Sequence, residues 1–410
     1  MHASPSLPLP SVDEELQSAK LLAQIMGAIQ NAQGQLPFSE FMRHALYAPG
    51  LGYYNQPQYG FKNRQEFITA PMVSSLFSGC LANTCIEVLE KTGGNILEIG
   101  AGLGHMAGDI LKRLNDLNAL PEHYYIYEQS EFLRKTQQEK LASLDSKLYS
   151  RIVWLEDLNL DNLNLEPFEG VILANEVLDA MPVCRFKFNQ GRFFESFVIA
   201  NEPKRTEGFE GVEGFERSLT EIFLPSSRPE FQSLPLMKKG NLEAGGEWED
   251  YVSEINLNIR PWLKTLTGLL KRGVILLIDY GFPETEYYHP ERNQGTLMCH
   301  YQRFAHHNPF FYPGLQDITA HVDFTAVARS SEALDLDILG YTNQASFLIH
   351  SGLIPLLEEQ HFETDAARFK AIQGVQCLTS PAEMGELFKV LGLGKDFPFS
   401  ISGFKFAKNI

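Results

Sequence analysis

Short apolar runs, each ending in polar residues or glycine, recur along the chain and predict buried strands. They are Ile96–Ile99, Tyr124–Tyr127, Ile152–Leu155, Gly170–Ala174 and Gly273–Ile278. Apolar residues at helical spacing separate several of them, as with Met106, Ile110 and Leu111 after the first run. Strands that alternate with helices are typical of a mostly parallel sheet in an α/β fold.

The amino-terminal part of the chain is predicted to be helical. Ser11 and Glu14 have the spacing of a capping box, and apolar residues recur on one helical face as far as Ile29. Shorter helices are expected over 38–46 and after 71. Two of the five cysteines, at 80 and 85, fall in the apolar stripe of the latter helix, so we interpret them as core residues.

The segment between the fourth and fifth predicted strands is far longer than one crossover requires. It begins with a predicted β-hairpin around 189–191, continues with a stretch rich in Gly, Glu and Pro over 201–246, and ends with a helix over 255–270. At the end of the chain, the alternating segment 397–408 predicts a final antiparallel strand.

These elements predict three parts in a chain of 410 residues, which exceeds the usual size of one domain. We expect an amino-terminal helical extension or lid over 1–93 and a core formed by 94–182 and 250–410. The remaining residues, 183–249, form an insertion that is a candidate substrate-binding lobe.

Three glycines, Gly100, Gly102 and Gly104, follow the first predicted strand. Ligands of doubly wound sheets bind at this end of the strands, and glycine permits their close approach to the backbone. The spacing misses a dinucleotide pattern because the sixth position is His105, and Glu98 would be unfavourable beside a pyrophosphate. A carboxylate at that position suits a cationic amino group instead. A glycine-rich turn in some other α/β enzyme is the alternative.

Acidic or amide residues follow each of the other strands. Glu128 ends the second strand, where an acid can accept hydrogen bonds from both hydroxyls of a ribose, although a surface acid is the alternative. Asp157 follows the third strand and either meets an adenine amino group or caps a turn. Asn175, at the end of the fourth strand, is a further candidate for cofactor binding. Glu176 and Asp179 follow it, and Asp279 ends the fifth strand.

The charge balance narrows the range of partners. The chain has 34 lysines and arginines against 51 aspartates and glutamates, a formal net charge of −17. Such an excess argues against a nucleic-acid partner, and it is compatible with a basic partner or with solubility alone.

Cysteines, histidines and the amino terminus bear on metals and location. The five cysteines are too few for a disulfide framework and include no Cys-x-x-Cys pair. The histidines between 300 and 321 lack metal-ligand spacing, so we expect no metal. The first ten residues resemble neither a signal peptide nor a mitochondrial presequence, and no apolar run has the length of a membrane span. We therefore expect a cytoplasmic location.

Longer motifs extend the picture over nearly the whole chain: Pro37–Tyr47, Pro49–Tyr54, Phe67–Pro71, Leu97–Gly104, Ala174–Val183, Leu276–Gly281, Arg292–Leu297 and Pro313–Thr325. Together they resemble the MidA-like family of S-adenosylmethionine-dependent methyltransferases. That family includes the mitochondrial complex I assembly factor that methylates an arginine of a complex I subunit.

The resemblance implies a class I methyltransferase fold, a Rossmann-like, mostly parallel sheet, with S-adenosyl-L-methionine as the cofactor. It also implies a protein substrate such as a subunit of a respiratory complex, and a homodimer is compatible with it. The cofactor carries an ammonium, a carboxylate and a sulfonium, and it has no phosphate. Its binding candidates are therefore Glu98, Gly100, Gly102, Gly104, Glu128, Asp157 and Asn175.

Methylation of arginine would need acids, because the guanidinium group stays protonated at ordinary pH. Carboxylates can hold it in a bidentate grip and localise its charge away from the attacking nitrogen. Glu176 and Asp179 are the first candidates and Asp279 is the next. For each of them, a capping or turn role is the alternative.

Other functions stay open. The chain departs from the family pattern at Glu66, Met72 and Leu103, and these departures motivate a second hypothesis, an assembly or binding protein that keeps the fold and has lost turnover. A small-molecule methyltransferase is another alternative. An RNA methyltransferase is disfavoured by the charge, and an NAD-dependent dehydrogenase by Glu98 and His105.

Overall fold

The computed structural model describes residues 7–56, 69–163, 166–201, 204–207, 213–216, 218–237, 250–407 and 410. Its α-helices are α1 Val12–Asn31, α2 Phe38–Tyr47, α3 Ala70–Val73, α4 Ser75–Thr92, α5 His105–Asp116, α6 Glu131–Leu141, α7 Ser146–Tyr149, α8 Leu160–Leu163, α9 Pro229–Gln232, α10 Ile259–Leu269, α11 Glu284–Tyr287, α12 Phe324–Glu332, α13 Gln344–His350, α14 Leu353–Glu359, α15 Asp365–Thr379 and α16 Met384–Leu387.

The strands are β1 Leu36–Pro37, β2 Asn95–Ile99, β3 Tyr124–Tyr127, β4 Ile152–Leu155, β5 Phe168–Asn175, β6 Cys184–Asn189, β7 Arg192–Ala200, β8 Lys204–Glu207, β9 Glu213–Glu216, β10 Leu219–Pro225, β11 Tyr251–Ile255, β12 Leu270–Phe282, β13 Met298–Tyr301, β14 Phe304–His306, β15 Asp317–Thr319, β16 Val322–Asp323, β17 Asp337–Asn343 and β18 Phe388–Lys395. They belong to two compact units. The first unit draws on 1–67, 180–258 and 285–320, and the second on 68–179, 259–284 and 321–410.

The second unit is built on a sheet with the strand order β17-β18-β12-β5-β2-β3-β4. Strands β4, β3, β2, β5 and β12 are parallel neighbours, whereas β18 runs antiparallel to both β12 and β17. The chain leaves the central strand β2 toward β3 and later returns to its other side as β5, so the strand order reverses between β2 and β5. The predicted α/β fold with a mostly parallel sheet is therefore confirmed. A ligand of such a sheet binds at this reversal, beyond the carboxyl ends of the strands.

Helix α4 covers the sheet with an apolar face. Phe77, Cys80, Leu81, Cys85 and Val88 are all fully buried in the core of the second unit. Each large apolar side chain contributes about 1.5–3 kcal/mol by leaving water. Burial raises the pKa of the Cys80 thiol to about 12, so it stays protonated, as expected of a core cysteine.

The first unit contains a sheet with the strand order β1-β7-β6-β11, in which β10 also pairs with β7. The predicted hairpin is confirmed as β6 and β7, where Asn189 pairs with Arg192. The two residues between them, Gln190 and Gly191, have φ values of 49° and 74°. Two-residue turns with positive φ at both positions match the twist of paired strands.

Helix α1 shows how much of its predicted apolar face is used. The capping box is present, with the Ser11 N–H donating to Glu14 Oε2 at 2.7 Å. The later turns of the helix bury its apolar inner face, which includes Leu21, Ile25, Met26 and Ile29. The first turns differ from the prediction, since Val12 is 82% exposed and Leu16 is 57% exposed.

The predicted final strand over 397–408 is wrong. Within the described residues the last strand is β18, which pairs with β12 and β17 and is buried along nearly its whole length. A strand buried on both faces shows no alternation of apolar and polar residues. The alternation after 397 instead reflects side chains that anchor the tail, since a Cβ at Gly340 or Gly392 would lie 2.6 or 2.4 Å from Phe404. The division at 93, 182 and 249 stays a prediction.

Candidate active site

The glycine loop follows β2 and joins it to α5. Gly100, Gly102 and Gly104 have φ values of 67°, 52° and 75°, a region that other residues rarely adopt. The N–H of Gly100 donates to Tyr127 O at 2.9 Å, which ties the loop to the end of β3. A Cβ at Gly100 would lie 3.1 Å from Val177 Cγ2, whereas one at Gly102 would meet nothing within 4 Å. The loop therefore packs against the chain at its start and has open space at Gly102.

Glu98 lies on β2 and is 1% exposed. Its Oε2 accepts a hydrogen bond from the Tyr124 hydroxyl at 2.7 Å. Burial raises the pKa of Glu98 to about 7, the Tyr124 hydrogen bond lowers it, and the Glu128 carboxylate raises it. Glu98 is thus held inside the protein, and its contact with the amino group of a cofactor stays a prediction.

Glu128 follows β3 and is also buried. Its Oε1 accepts from the Ser130 N–H at 3.0 Å, and its Oε2 accepts from Gln137 Nε2 at 3.1 Å. Burial raises the pKa of Glu128 to about 7, whereas these hydrogen bonds, the Arg134 charge and a backbone hydrogen bond from Gly102 lower it. The acid is therefore linked to the glycine loop, and its contact with a ribose stays a prediction.

Asn175 and Glu176 lie at the end of β5. Asn175 Nδ2 donates to Glu176 Oε1 at 3.1 Å, while Asn175 Oδ1 is buried and has no hydrogen-bond partner within the described part of the chain. Glu176 has a φ of 54°, which costs a non-glycine residue about 1–3 kcal/mol and is typical of functional sites. Its N–H donates to Ile278 O at 2.9 Å, so β12 holds the strained residue in place.

Asp279 is fully buried within β12, which continues to Phe282 rather than ending at Asp279 as predicted, and it fixes the loop that carries Asp179. Its Oδ2 accepts from the N–H groups of Leu178 and Asp179 at 2.9 and 3.2 Å, and its Oδ1 accepts from the Tyr280 N–H at 2.9 Å. The Tyr280 hydroxyl in turn donates to Asp179 Oδ2. Burial raises the pKa of Asp279 well above its ordinary range, and Asp179 and Glu176 raise it further.

Asp157 occupies a turn after β4. Its Oδ1 accepts from the N–H groups of Leu158 and Asn159 at 2.6 and 3.1 Å, and its Oδ2 accepts from Asn162 Nδ2. The Asn162 hydrogen bond, followed by the two backbone hydrogen bonds, lowers the pKa of Asp157. This geometry matches the turn alternative, and the contact with adenine stays a prediction.

Strand register explains why most of these residues lie at one edge of the sheet. Ile99 pairs with both Ala174 and Tyr127, and Asn175 pairs with Ile278. The next residue along each strand is therefore Gly100, Glu128, Glu176 or Asp279. Two residues that make hydrogen bonds to these acids, Tyr280 and Gln137, were not predicted from the sequence. Tyr280 could have been found from its place beside Asp279, whereas Gln137 lies on a helix without any motif.

The positions that depart from the family pattern differ in what the structure shows. Met72 lies on α3 and Leu103 in the glycine loop, both partly exposed, and Glu66 lies outside the described residues.

Within the described residues, His, Cys, Asp and Glu side chains form no group of three or more that could hold a metal ion. The described helices include none with the length and apolar character needed to cross a membrane.

Comparisons with known proteins show the family and its cofactor. A family model of S-adenosyl-L-methionine-dependent methyltransferases matches residues 80–342. A Burkholderia thailandensis protein, whose crystal structure contains S-adenosyl-homocysteine, is 36% identical with a TM-score of 0.85, over 98% of this chain and 99% of that one.

Curated relatives point in the same direction. The mitochondrial protein arginine methyltransferase NDUFAF7 homologue of Drosophila melanogaster is 26% identical over 399 residues, 91% of this chain and 84% of the relative. The human mitochondrial protein arginine methyltransferase NDUFAF7 is 25% identical over 404 residues, 91% of this chain and 83% of the relative.

The predicted class I methyltransferase fold, the family resemblance and S-adenosyl-L-methionine as cofactor are thus confirmed. The predicted cytoplasmic location is wrong, because these curated relatives are designated mitochondrial. A low cysteine count indicates redox conditions rather than one particular compartment, so it was a poor guide to location. The chain belongs to the family of S-adenosyl-L-methionine-dependent methyltransferases that the matching model describes.

Proposed function

We propose that the methyl acceptor is an arginine of a protein substrate and that Glu176 and Asp179 hold its guanidinium group. The main support is the packing of Val177 on Gly100, where a Cβ would have only 3.1 Å of space. This contact brings the loop that carries both acids against the glycine loop. The names of the curated relatives, protein arginine methyltransferases, support the same acceptor.

The residues at this edge of the sheet fit the cofactor. The open space at Gly102 lets a ligand approach the backbone, and the buried carboxylates of Glu98 and Glu128 suit a cationic nucleoside that lacks phosphate. We assign the ribose hydroxyls to Glu128 and the amino acid part of the cofactor to the region of Glu98. The unpartnered Oδ1 of Asn175 can accept a hydrogen bond from the cofactor or from the arginine of the protein substrate.

When bound, the cofactor supplies a methyl group on a sulfonium, and the carbon–sulfur bond breaks with its electron pair left on sulfur. Glu176 and Asp179 orient the guanidinium so that one nitrogen faces that carbon. The new nitrogen–carbon bond is balanced by loss of one proton from the nitrogen. Glu176 is partly exposed whereas Asp179 is buried, so Glu176 accepts this proton and passes it on to water. Asp279 keeps the loop in shape through the N–H groups of Leu178 and Asp179.

Two finer expectations belong to this proposal. The protein substrate is a subunit of a respiratory complex, and the enzyme acts as a homodimer. Light scattering on the purified chain measures the second directly, since a mass near 46.3 kDa would be that of a monomer.

The acceptor can be tested with S-adenosylmethionine that carries a labelled methyl group. The chain is incubated with a protein extract, the proteins are hydrolysed, and the labelled amino acids are identified. We expect label in methylated arginine, and its loss with Glu176→Gln. Label confined to other amino acids or to small molecules would refute the arginine assignment, and cofactor binding without any transfer would support the assembly-protein alternative.

A further inference from the structure

Gln137 joins three parts of the candidate cofactor site. It lies on α6, is fully buried, and uses both ends of its side-chain amide. Its Nε2 donates to Gly102 O at 2.9 Å and to Glu128 Oε2 at 3.1 Å. Its Oε1 accepts from Trp154 Nε1 at 3.1 Å. One side chain thus connects the glycine loop, the acid after β3 and the strand β4.

The chemistry of the partners allows only one orientation of this amide. A carbonyl oxygen and a carboxylate oxygen can only accept, and an indole nitrogen can only donate. Rotation of the amide by half a turn would place Gln137 Oε1 against two acceptors and its NH₂ group against the Trp154 N–H. The hydrogen bonds therefore fix the rotamer, and Gln137 in that rotamer adds a second connection to the direct hydrogen bond between the Gly102 backbone and Glu128.

We propose that Gln137 is a positioning residue for cofactor binding: it holds Gly102 and Glu128 at the spacing that a bound nucleoside requires. The proposal rests on the ribose role of Glu128 given above. Gln137 itself is surrounded by protein partners, so it acts through Glu128 and the loop. Without its amide, Glu128 loses a donor and Gly102 loses the hydrogen bond that orients its peptide.

The charged surroundings of Glu128 give the proposal a second readout. Arg134 of α6 lowers the pKa of Glu128 and also pairs with Glu156 at 2.8 Å, while Glu98 faces Glu128 from β2. Hydrogen bonding from Gln137 lowers the pKa of Glu128 as well. Ribose hydroxyls bind best to an ionised carboxylate, so affinity falls when Glu128 takes up a proton. Loss of the Gln137 donor raises that pKa and moves the decline to higher pH.

The test compares Gln137→Met with Gln138→Met, its exposed neighbour on the same helix. Both replace an amide by an apolar chain of similar length. We expect Gln137→Met to raise the Kd and KM for S-adenosylmethionine about tenfold, with kcat at saturating cofactor within about twofold, because two of the three hydrogen bonds it removes are those to Gly102 and Glu128. Its binding-versus-pH curve, measured by calorimetry, should move to higher pH. Gln138→Met should behave as the parent does.

Two further variants distinguish a failure of the ribose role of Glu128 from a failure of the positioning role of Gln137. Glu128→Gln should weaken cofactor binding and abolish the part of the pH dependence that Glu128 causes; unchanged binding would refute the ribose role. If Glu128→Gln weakens binding but Gln137→Met matches Gln138→Met, the positioning role of Gln137 is refuted. Trp154→Phe removes the N–H that orients the amide, together with part of the ring that packs against the core. It should raise the Kd about threefold, and it decides the matter if Gln137→Met does not fold, since an unchanged Kd would then overturn the proposal.

Discussion

Glu254 in the first unit and Asp279 in the second are both fully buried acids, but their charged neighbours have opposite signs. Glu254 accepts a hydrogen bond from Arg185 Nε at 3.3 Å, so the rise in its pKa that burial causes is partly offset by that guanidinium. Asp279 instead accepts hydrogen bonds from the backbone N–H groups of Leu178, Asp179 and Tyr280. The charged groups acting on it, Asp179 and Glu176, raise its pKa further.

The comparison separates an acid that the fold itself satisfies from acids that a cationic ligand could satisfy. An acid paired with a buried arginine is satisfied by the fold itself, and such pairs fix the packing of strands. Acids that repel one another carry an electrostatic cost, which a cationic ligand can relieve. The cluster of Glu176, Asp179 and Asp279 has the second character, and a guanidinium group is a ligand that would relieve the cost.

Removing the cation from the structural acid should have the largest effect. Arg185→Met leaves Glu254 buried without its guanidinium, and we expect the free energy of unfolding, measured with urea, to fall by about 3–5 kcal/mol. Lys187→Met on the same strand is the control, because Lys187 and Asp250 form an exposed pair at 3.2 Å that should be worth less than about 1 kcal/mol. Equal losses for the two variants would contradict the structural role of the buried pair.

Removing a charge from the functional cluster should instead affect catalysis. We expect Glu176→Gln to lower kcat/KM about 100–1000-fold, or about 3–4 kcal/mol, because the guanidinium loses one carboxylate of its grip. The Kd for S-adenosylmethionine should change less than about twofold. Glu169→Gln is a matched control at the other end of β5, where Glu169 pairs with Lys271 on the surface at 3.3 Å. A parallel loss of cofactor affinity in Glu176→Gln would place Glu176 with the cofactor instead.

A third prediction concerns pH and the acids beside the glycine loop. The folded pKa of Glu98, about 7, lies above its ordinary value of 4.5, so the folded state binds the proton more tightly than the unfolded state does. Stability therefore falls as pH rises from about 4.5 to 7, by about 3 kcal/mol for this group. Glu98→Gln should gain that amount relative to the parent between pH 5 and pH 8, as measured by urea unfolding. The exposed Glu90→Gln provides the control, and the same slope in Glu98→Gln as in the parent would sink the prediction.

The sequence predicted the parts of the site that follow from strand order. Parallel strands place their carboxyl ends at one edge, so the glycine loop, the acids after β3 and β5, and Asp279 near the end of β12 could be grouped from local patterns alone. The hydrogen bonds of Asp279 to the N–H groups of Leu178 and Asp179 could not be foreseen, since those residues are a hundred positions away in the chain. Gln137 was missed for the same reason, because its three partners lie on separate elements.

The errors have physical causes as well. The last strand was misplaced because β18 is buried on both faces and shows no alternation, while the alternating residues after 397 anchor the tail. The exposure of Val12 and Leu16 shows that an apolar face predicts burial only as far as a neighbour covers it. The prediction of a cytoplasmic location was wrong because it rested on sequence features that do not distinguish compartments.

Asp157 offers the smallest effect and tests where the cofactor site ends. Both of its carboxylate oxygens are engaged in the turn, by Leu158, Asn159 and Asn162, and those hydrogen bonds hold its pKa below the ordinary range. If this turn is its whole role, Asp157→Ala should change the Kd for S-adenosylmethionine by no more than about twofold, because a residue with only structural partners acts on the ligand indirectly. Asp157→Asn keeps the acceptor for the turn and should bind as the parent does. A rise of tenfold or more in the Kd of both variants, measured by calorimetry, would instead show that the carboxylate meets the adenine, and would extend the functional acids to the edge of β4.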